Sequence, residues 1–509
     1  MSIAHKVLRP LALTTVALAA MVMAAQAQAP EDLRVALVIG NAAYSGAPLA
    51  NPANDARAMG DTLRGLGFVV IEVRDASRQQ MLAAVQRAGE SLKGKRGVGM
   101  LFYAGHGLQL DWRNYMVPVD ANLTASTDIP VQAVDVNLVI DAFKRAGNRM
   151  NILVLDACRD NPFADTTSSK GLSPVDAPSG TFLAYATAPG NVAEDGDPTQ
   201  GNGLYTRFLL DEIKKPVSKI EDVFKRVRLQ VRKASQGRQV PWESTSLEDD
   251  FYFNHSRRLA VATPDPKSRE AAFQAEKAEW DKIRNSQRAE DFYAYLQKYP
   301  NGLISEQAQA QLDRLEKVRI QAQADQSGER QTAASARLRA GDSFEFVFKD
   351  GLTGNVKGTA RAQLKRVSDN ELIGEGTGMA STKVTTEGFV LEDINGKYDP
   401  PWPTTPGGEF QLGRKWSARS ILTLPNGNKI WVDIDAHISA REAVTVPLGT
   451  FQTYRVDYLF VFQDGRRIKS TFWYQPELGY AVKFQRELRR YNTPDIIVRE
   501  MSGYKRGAG

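Results

Sequence analysis

The sequence predicts a multidomain protein: an N-terminal α/β sandwich with a mostly parallel sheet and helices on both faces, then a helical segment, then an antiparallel all-β domain. Three observations carry this. From residue 31 to about 258, runs such as "LRVALVIGN" are apolar throughout and alternate with amphipathic helices, the pattern of a sheet buried on both faces. A Pro-rich stretch, "ATPDPKS" at 262–268, then marks a change of composition. From about 340 the hydrophobic period becomes two, punctuated by Asp-Gly and Asn-Gly, dipeptides that close β-hairpins. The chain of 509 residues, 42% hydrophobic and 24% charged, exceeds what one core holds, about 250–300 residues, and has ordinary globular composition.

Residues 1–29 read as a secretory signal peptide. Lys6 and Arg9 precede the uncharged run "LALTTVALAAMVMAA", and "AQAQA" offers small residues at A-x-A spacing. Cleavage after Ala27 or Ala29 fits, and Pro30 after the second site favours the first. The run is shorter than the roughly 20 residues of a spanning helix. The mature chain is therefore expected to be exported and soluble, most simply in a bacterial periplasm, with no membrane span after cleavage.

The sandwich is assigned to 30–258. Strands are expected at 33–41, 68–75, 96–107, 151–158 and 180–190, with a closing strand at 247–253. Helices are expected at 54–67, 78–93, 138–147, 203–215 and 220–236. Residues 259–338 read as a helical hairpin and polar linker: Phe273, Trp280 and Ile283 share one face of the first helix, Phe292, Tyr295, Leu296 and Tyr299 share one face of the second, and "YPNG" at 299–302 is a turn between helices. Residues 339–509 are the all-β accessory domain. The net charge of +6 is spread thinly, and the densest basic run, 225–238, carries Val227, Val231 and Ala234 at helical spacing. It reads as the wet face of a helix, and no nucleic-acid partner is expected.

Cys158, in "NILVLDACRDNPF", is the single cysteine. In an oxidising compartment a lone thiol gains nothing from disulfide formation and carries an oxidation risk. Cysteine chemistry needs a thiolate or a nearby base and a proton for the leaving group. Of four histidines, His5 leaves with the signal peptide, His255 follows the last strand of the sandwich and His437 lies in the β domain. His106, in "YAGHG", ends a strand of the same sheet as Cys158. If the two strands are parallel, both residues emerge at one edge, where chemistry gathers in such sheets. Gly107 would then offer its N–H to an oxyanion beside the Cys158 N–H.

These motifs resemble those of the caspase and metacaspase superfamily. "LFYAGHG" is similar to its histidine motif and "LVLDAC" to its cysteine motif. His106 precedes Cys158 by 52 residues, close to the roughly 50 recorded for caspases. "LVIGNAAY" with "LANPANDARAM", and "GRQVPWESTSLEDDFYF", resemble the start and end of the domain in bacterial caspase-like proteins. The resemblance implies a caspase-like three-layer sandwich and a cysteine endopeptidase, with Cys158 as nucleophile and His106 as acid and base. It also implies that Asp55 and Asp156 line the pocket for the side chain before the scissile bond. A carboxylate pair there wants a cation, so cleavage after Arg or Lys is expected. The blander readings are a helix N-terminal charge for Asp55 and a backbone-bonding strand-end residue for Asp156. "CRDNPF" departs from the family, which has other residues after the cysteine.

No cofactor or metal is expected. Calcium assists some metacaspases, but Asp111, Asp120, Asp128, Asp135 and Asp165 form no loop of the EF-hand type. Lys170 is the basic residue of the long polar loop after Cys158, hence a candidate for self-cleavage. The helical segment resembles units often attached to bacterial caspase-like domains, and the β domain resembles envelope domains, which implies envelope protein partners. The alternative to a peptidase is a catalytically silent caspase-fold scaffold of the envelope. A redox-sensing thiol is more distant, for want of a resolving cysteine.

Overall fold

A computed structural model of the chain describes residues 33–110, 113–158, 177–187, 201–216, 218–254, 266–327, 337–406, 410, 412–490 and 493–508. The signal-peptide reading, Asp111, Asp165, Lys170, His255 and the whole of "RDNPF" with its loop lie outside the described residues.

The first unit is a sheet of order β2-β1-β3-β6-β7-β8. Its strands are β1 (Leu33–Gly40), β2 (Val69–Arg74), β3 (Gly97–Leu110), β6 (Met150–Cys158), β7 (Thr181–Tyr185) and β8 (Trp242–Thr245). All pairings are parallel except β7 with β8. One face packs against α1 (Pro52–Gly65), α5 (Leu204–Ile213) and α6 (Ile220–Ala234), through Met59, Leu63, Leu209, Phe224 and Val227. The other packs against α2 (Arg78–Leu92) and α4 (Val136–Ala146), through Met81, Val85, Ile140 and Phe143. Val38 and Val154 serve the first core, Leu37 and Leu155 the second. Alternate residues of each strand thus face opposite layers, and both layers are apolar, which explains the unbroken apolar runs.

Two expectations are corrected. Residues 247–253 do not form the closing strand; β8 does, and Tyr252 makes only a single bridge, to Lys219. Phe251 and Phe253 are instead apolar plugs. They pack edge to face at 5.0 Å, Phe253 meets Phe224, and the Arg34 guanidinium lies over Phe251 while donating to the Phe253 carbonyl. The strand expected to stop at Gly107 runs on to Leu110 and turns back as β4 (Arg113–Met116). β4 in turn pairs with β5 (Val134–Asp135), beyond the short helix α3 (Ile129–Gln132).

The helical segment holds three helices rather than a hairpin: α7 (Pro266–Ile283), α8 (Ala289–Lys298) and α9 (Ser305–Ser327). Phe273, Trp280, Phe292, Tyr295 and Leu296 fill one core with Ala308 and Leu312 of α9. Arg232 of α6 is buried against Asp313, at 2.6 Å, and against Glu316, tying this core to the sandwich.

The C-terminal unit is a closed antiparallel barrel of twelve strands. Its strands are β9 (Ser343–Asp350), β10 (Val356–Ser368), β11 (Glu371–Thr377), β12 (Thr382–Thr385), β13 (Val390–Asp393), β14 (Gly396–Trp402), β15 (Lys415–Thr423), β16 (Lys429–Val446), β17 (Gly449–Phe462), β18 (Arg467–Gln475), β19 (Tyr480–Arg490) and β20 (Thr493–Lys505). Each pairs with its successor, and β20 pairs with β9. Asp350-Gly351, Asn395-Gly396, Asn426-Gly427 and Asp464-Gly465 fall at hairpin turns. Closure removes the free edges that an open sheet would expose.

Arg419 joins barrel and helices. Its guanidinium bonds both Asp433 oxygens, at 2.6 and 2.9 Å, reaches Glu270 of α7 at 2.5 Å, and lies over Trp431. Arg419→Met is expected to cost about 3 kcal/mol, because Asp433 stays buried and keeps only its longer contact with Arg269, at 3.5 Å. Urea denaturation followed by tryptophan fluorescence checks this, with Arg419→Lys intermediate because it restores charge but not the fork.

Candidate active site

β6 ends beside His106 of β3, where the parallel ladder of the two strands stops. Their parallel register runs from Val98 opposite Met150 to His106 opposite Cys158. The last paired residues of the two strands are thus the chain's single cysteine and the sheet's histidine, on backbones about 4.8 Å apart. The glycine before His106 is required by geometry. Gly105 has φ +151°, and a Cβ there would sit 2.7 Å from the Tyr44 hydroxyl and 2.8 Å from that of Tyr103.

His106 is held from two sides. The loop after β1 brings Tyr44 to a ring distance of 4.5 Å. The Tyr44 hydroxyl accepts the His106 backbone N–H at 3.1 Å and donates to the Val117 carbonyl at 3.0 Å. Burial is the main cause that pushes the Tyr44 phenol up to about 12, so near neutral pH it keeps the proton it donates. His106 Nε2 lies 2.7 Å from the Ala47 carbonyl. A carbonyl only accepts, so Nε2 is the protonated nitrogen and Nδ1 keeps its lone pair. The same loop is pinned by Asp75, whose Oδ1 accepts the backbone N–H groups of Ala42 and Ala43 at 2.8 and 2.9 Å.

Gly107 has a defined direction. The Val117 N–H donates to the His106 carbonyl, and Gly107 is opposite Met116 in the next position of the antiparallel ladder. Alternation of that ladder makes Gly107 a pair without exchanged hydrogen bonds. Its N–H therefore faces away from β4, toward the side on which β6 ends.

Asp55 and Asp156 are brought to one place. Asp55, in the first turn of α1, is buried and accepts from Asn202 Nδ2 at 2.8 Å and from the Gly203 N–H at 3.0 Å. Asp156, two residues before Cys158, accepts from Thr206 Oγ1 at 2.6 Å. Both carboxylates thus meet the start of α5, whose unpaired N–H groups favour negative charge. The residues missing from the sequence-based reading are Tyr44, Ala47, Asn202 and Thr206. "NAAY" after the first strand, and "GNGLYT" at a helix start, were the available signals. Neither contains a group that is reactive by itself.

Among the described residues there is no cluster of three or more His, Cys, Asp or Glu that would hold a metal. Asp128 spends its carboxylate on the N–H groups of Thr124 and Ala125, and Asp135 caps α4 through the Asn137 N–H.

Residues 33–252 match the family model for the caspase domain of the C14 peptidases. This segment is a caspase-like α/β domain. It is similar to the mouse mucosa-associated lymphoid tissue lymphoma translocation protein 1 homolog and to the human protein of that name. Identity to each is 31% over 183 residues, 35% of this chain and 21% and 22% of theirs. The chain thus spans about a fifth of the length of these curated relatives. The caspase-like domain has the fold of a cysteine protease, and the register of His106 and Cys158 lies inside the matched segment.

Proposed function

We propose that the protein is an exported cysteine endopeptidase that uses a Cys158–His106 dyad and cleaves after Arg or Lys. The observation that carries this is the register that ends the parallel ladder of β3 and β6 at His106 and Cys158. His106 Nδ1 takes the Cys158 thiol proton, the resulting thiolate attacks the scissile carbonyl carbon, and the carbonyl oxygen becomes an oxyanion. The N–H groups of Gly107 and Cys158 stabilise that charge. As the C–N bond breaks, His106 delivers a proton from Nδ1 to the leaving amine, leaving a thioester. His106 then takes a proton from water, which hydrolyses the thioester and frees the thiolate. Ala47 fixes the imidazole tautomer throughout, and Tyr44 fixes its plane.

The preference for a basic residue is supported by the meeting of Asp55 and Asp156 at the start of α5. Two carboxylates in one partly enclosed place are balanced best by a cation. Export is supported by the charged, apolar and small-residue succession of residues 1–29, and the substrates are then proteins or peptides of the periplasm. The helices and barrel would hold envelope partners.

The test offers the mature chain peptides ending in Arg, Lys or Asp before a reporter. Cleavage after Arg or Lys is expected, and Asp55→Asn and Asp156→Asn should each lower kcat/KM on the basic peptides by about tenfold or more, the worth of one charge-assisted contact. A preference for Asp-ended peptides would remove the basic-pocket assignment.

A further inference from the structure

The inner face of the barrel carries two arginines. Gln485 and Glu487 line a cleft on the outer face, so strand alternation turns Arg486, between them, to the inside. Arg499 also points inward. Its guanidinium lies over the rings of Phe346, Tyr480 and Phe484, at 4.6, 5.8 and 5.2 Å, while Glu500 pairs with Lys349 and Lys483 on the other face. Phe484 is opposite Arg499, and Arg486 is opposite Ile497. The two arginines are therefore diagonal neighbours on adjacent strands, roughly 7–8 Å apart.

This lining has donors and positive charge to spare. Among the described residues neither guanidinium has a carboxylate within ion-pair distance. Arg486 Nε is buried without an acceptor, and so is Trp416 Nε1, in the cross-strand row Trp416, Ala436, Tyr458, Ser470 and Arg486. The acids at this end of the barrel are committed elsewhere. Asp350 accepts from the N–H groups of Leu352 and Thr353, both at 3.0 Å, and pairs with Lys357 at 2.7 Å. Asp393 accepts from the Asn395 N–H and the Tyr398 hydroxyl. Asp495 is engaged as well and interacts electrostatically with Lys357.

The interior is graded along its axis. At the end where β9 begins, Phe344, Phe346, Val446, Val482 and Met501 are buried and seal it. Nearer the other end, Phe348, Phe460, Phe472, Phe484 and both arginines are only partly buried. The ladder closes around them, so solvent reaches this inner face through the mouth. Twelve strands enclose more space than the roughly eight whose side chains just fill a barrel. The turns and strand ends at the mouth expose Leu352, Val356 and Ile394, so the rim is apolar too.

We propose that the barrel is a cup for a fatty acid, with the carboxylate held between Arg486 and Arg499 and the acyl tail running along the phenylalanines to the mouth. One anion relieves two neighbouring like charges and supplies the missing acceptors. The tail covers aromatic surface that water now touches. From Arg486 to the end of β19 at Arg490 is about 13 Å of strand, a length that an extended decanoyl tail spans.

The experiment is calorimetric titration of the full chain with decanoate, beside acetate and decyltrimethylammonium. Decanoate is expected to bind at least tenfold more tightly than either, because acetate lacks the tail and the ammonium lacks the anion. Arg486→Gln and Arg499→Gln should each weaken decanoate binding about tenfold, the worth of one charge-assisted contact. Arg486→Gln should also leave the thermal midpoint of the ligand-free chain unchanged or raise it, since it removes one of two adjacent like charges. A merely structural Arg486 would lower that midpoint and leave the affinity alone. The proposal is overturned if decanoate does not bind, if decyltrimethylammonium binds as tightly, or if Arg486→Gln binds decanoate as the wild type does. Peptidase activity plays no part in this readout, so the two proposals stand or fall separately.

Discussion

His106→Ala is expected to lower kcat/KM on an arginine-ended reporter peptide by about 10³-fold, within the range for loss of a general acid–base. The reason is the tautomer. With Nε2 held by the Ala47 carbonyl, Nδ1 is the one nitrogen able to pass a proton to the leaving amine. Alanine removes that route and leaves the N–H groups of Gly107 and Cys158 in place, so residual activity should exceed the uncatalysed rate. The fold should not suffer, because His106 is half-buried at a strand end and the ladder contacts of its backbone remain. Far-UV circular dichroism and the thermal midpoint check that, and added imidazole should recover part of the rate. A variant with wild-type kcat/KM would remove His106 from the mechanism.

Gly105→Ala is expected to destabilise the caspase-like domain by about 3 kcal/mol, the sum of a strained backbone and an overpacked contact. The added Cβ would fall within 2.8 Å of two tyrosine hydroxyls and 3.1 Å from the Asn41 carbonyl, at a φ of +151° that side chains rarely adopt. Neither tyrosine can withdraw cheaply. Tyr44 bonds the His106 N–H and the Val117 carbonyl, and Tyr103 bonds the His106 carbonyl at 2.6 Å. Relief of the clash should therefore turn the end of β3 and misplace His106, so activity should fall even in the fraction that stays folded. Denaturant midpoints measure the first effect and kcat measures the second. Gly107→Ala offers the contrast, since its backbone is not in the positive-φ region.

Much of the sandwich was legible from residues. The apolar runs at 33–41, 68–75 and 151–158 are β1, β2 and β6 to within a residue or so, since each run is rich in Val, Ile and Leu and is bounded by turn formers or charge. The closing strand was misplaced because Phe251 and Phe253 alternate like a strand while plugging the core beside Arg34. Periodicity reports burial and not pairing. In the barrel, period-two alternation and the Asp-Gly and Asn-Gly turns mark neighbouring hairpins, yet the closure of β20 on β9 joins residues as far apart as Ser343 and Lys505 and has no local signature. The site divides in the same way. His106 and Cys158 were visible because their side chains are reactive types. Ala47 acts through a carbonyl that every residue owns, and Thr206 through a common hydroxyl, so only the folded loop and helix start reveal them.

The most direct measurement is cleavage of an arginine-ended reporter peptide by the mature wild-type chain and by Cys158→Ala, purified and assayed side by side. Wild-type turnover with loss of about 10³-fold or more in the variant is the outcome that a Cys158 nucleophile requires. Equal turnover by the two proteins would contradict it.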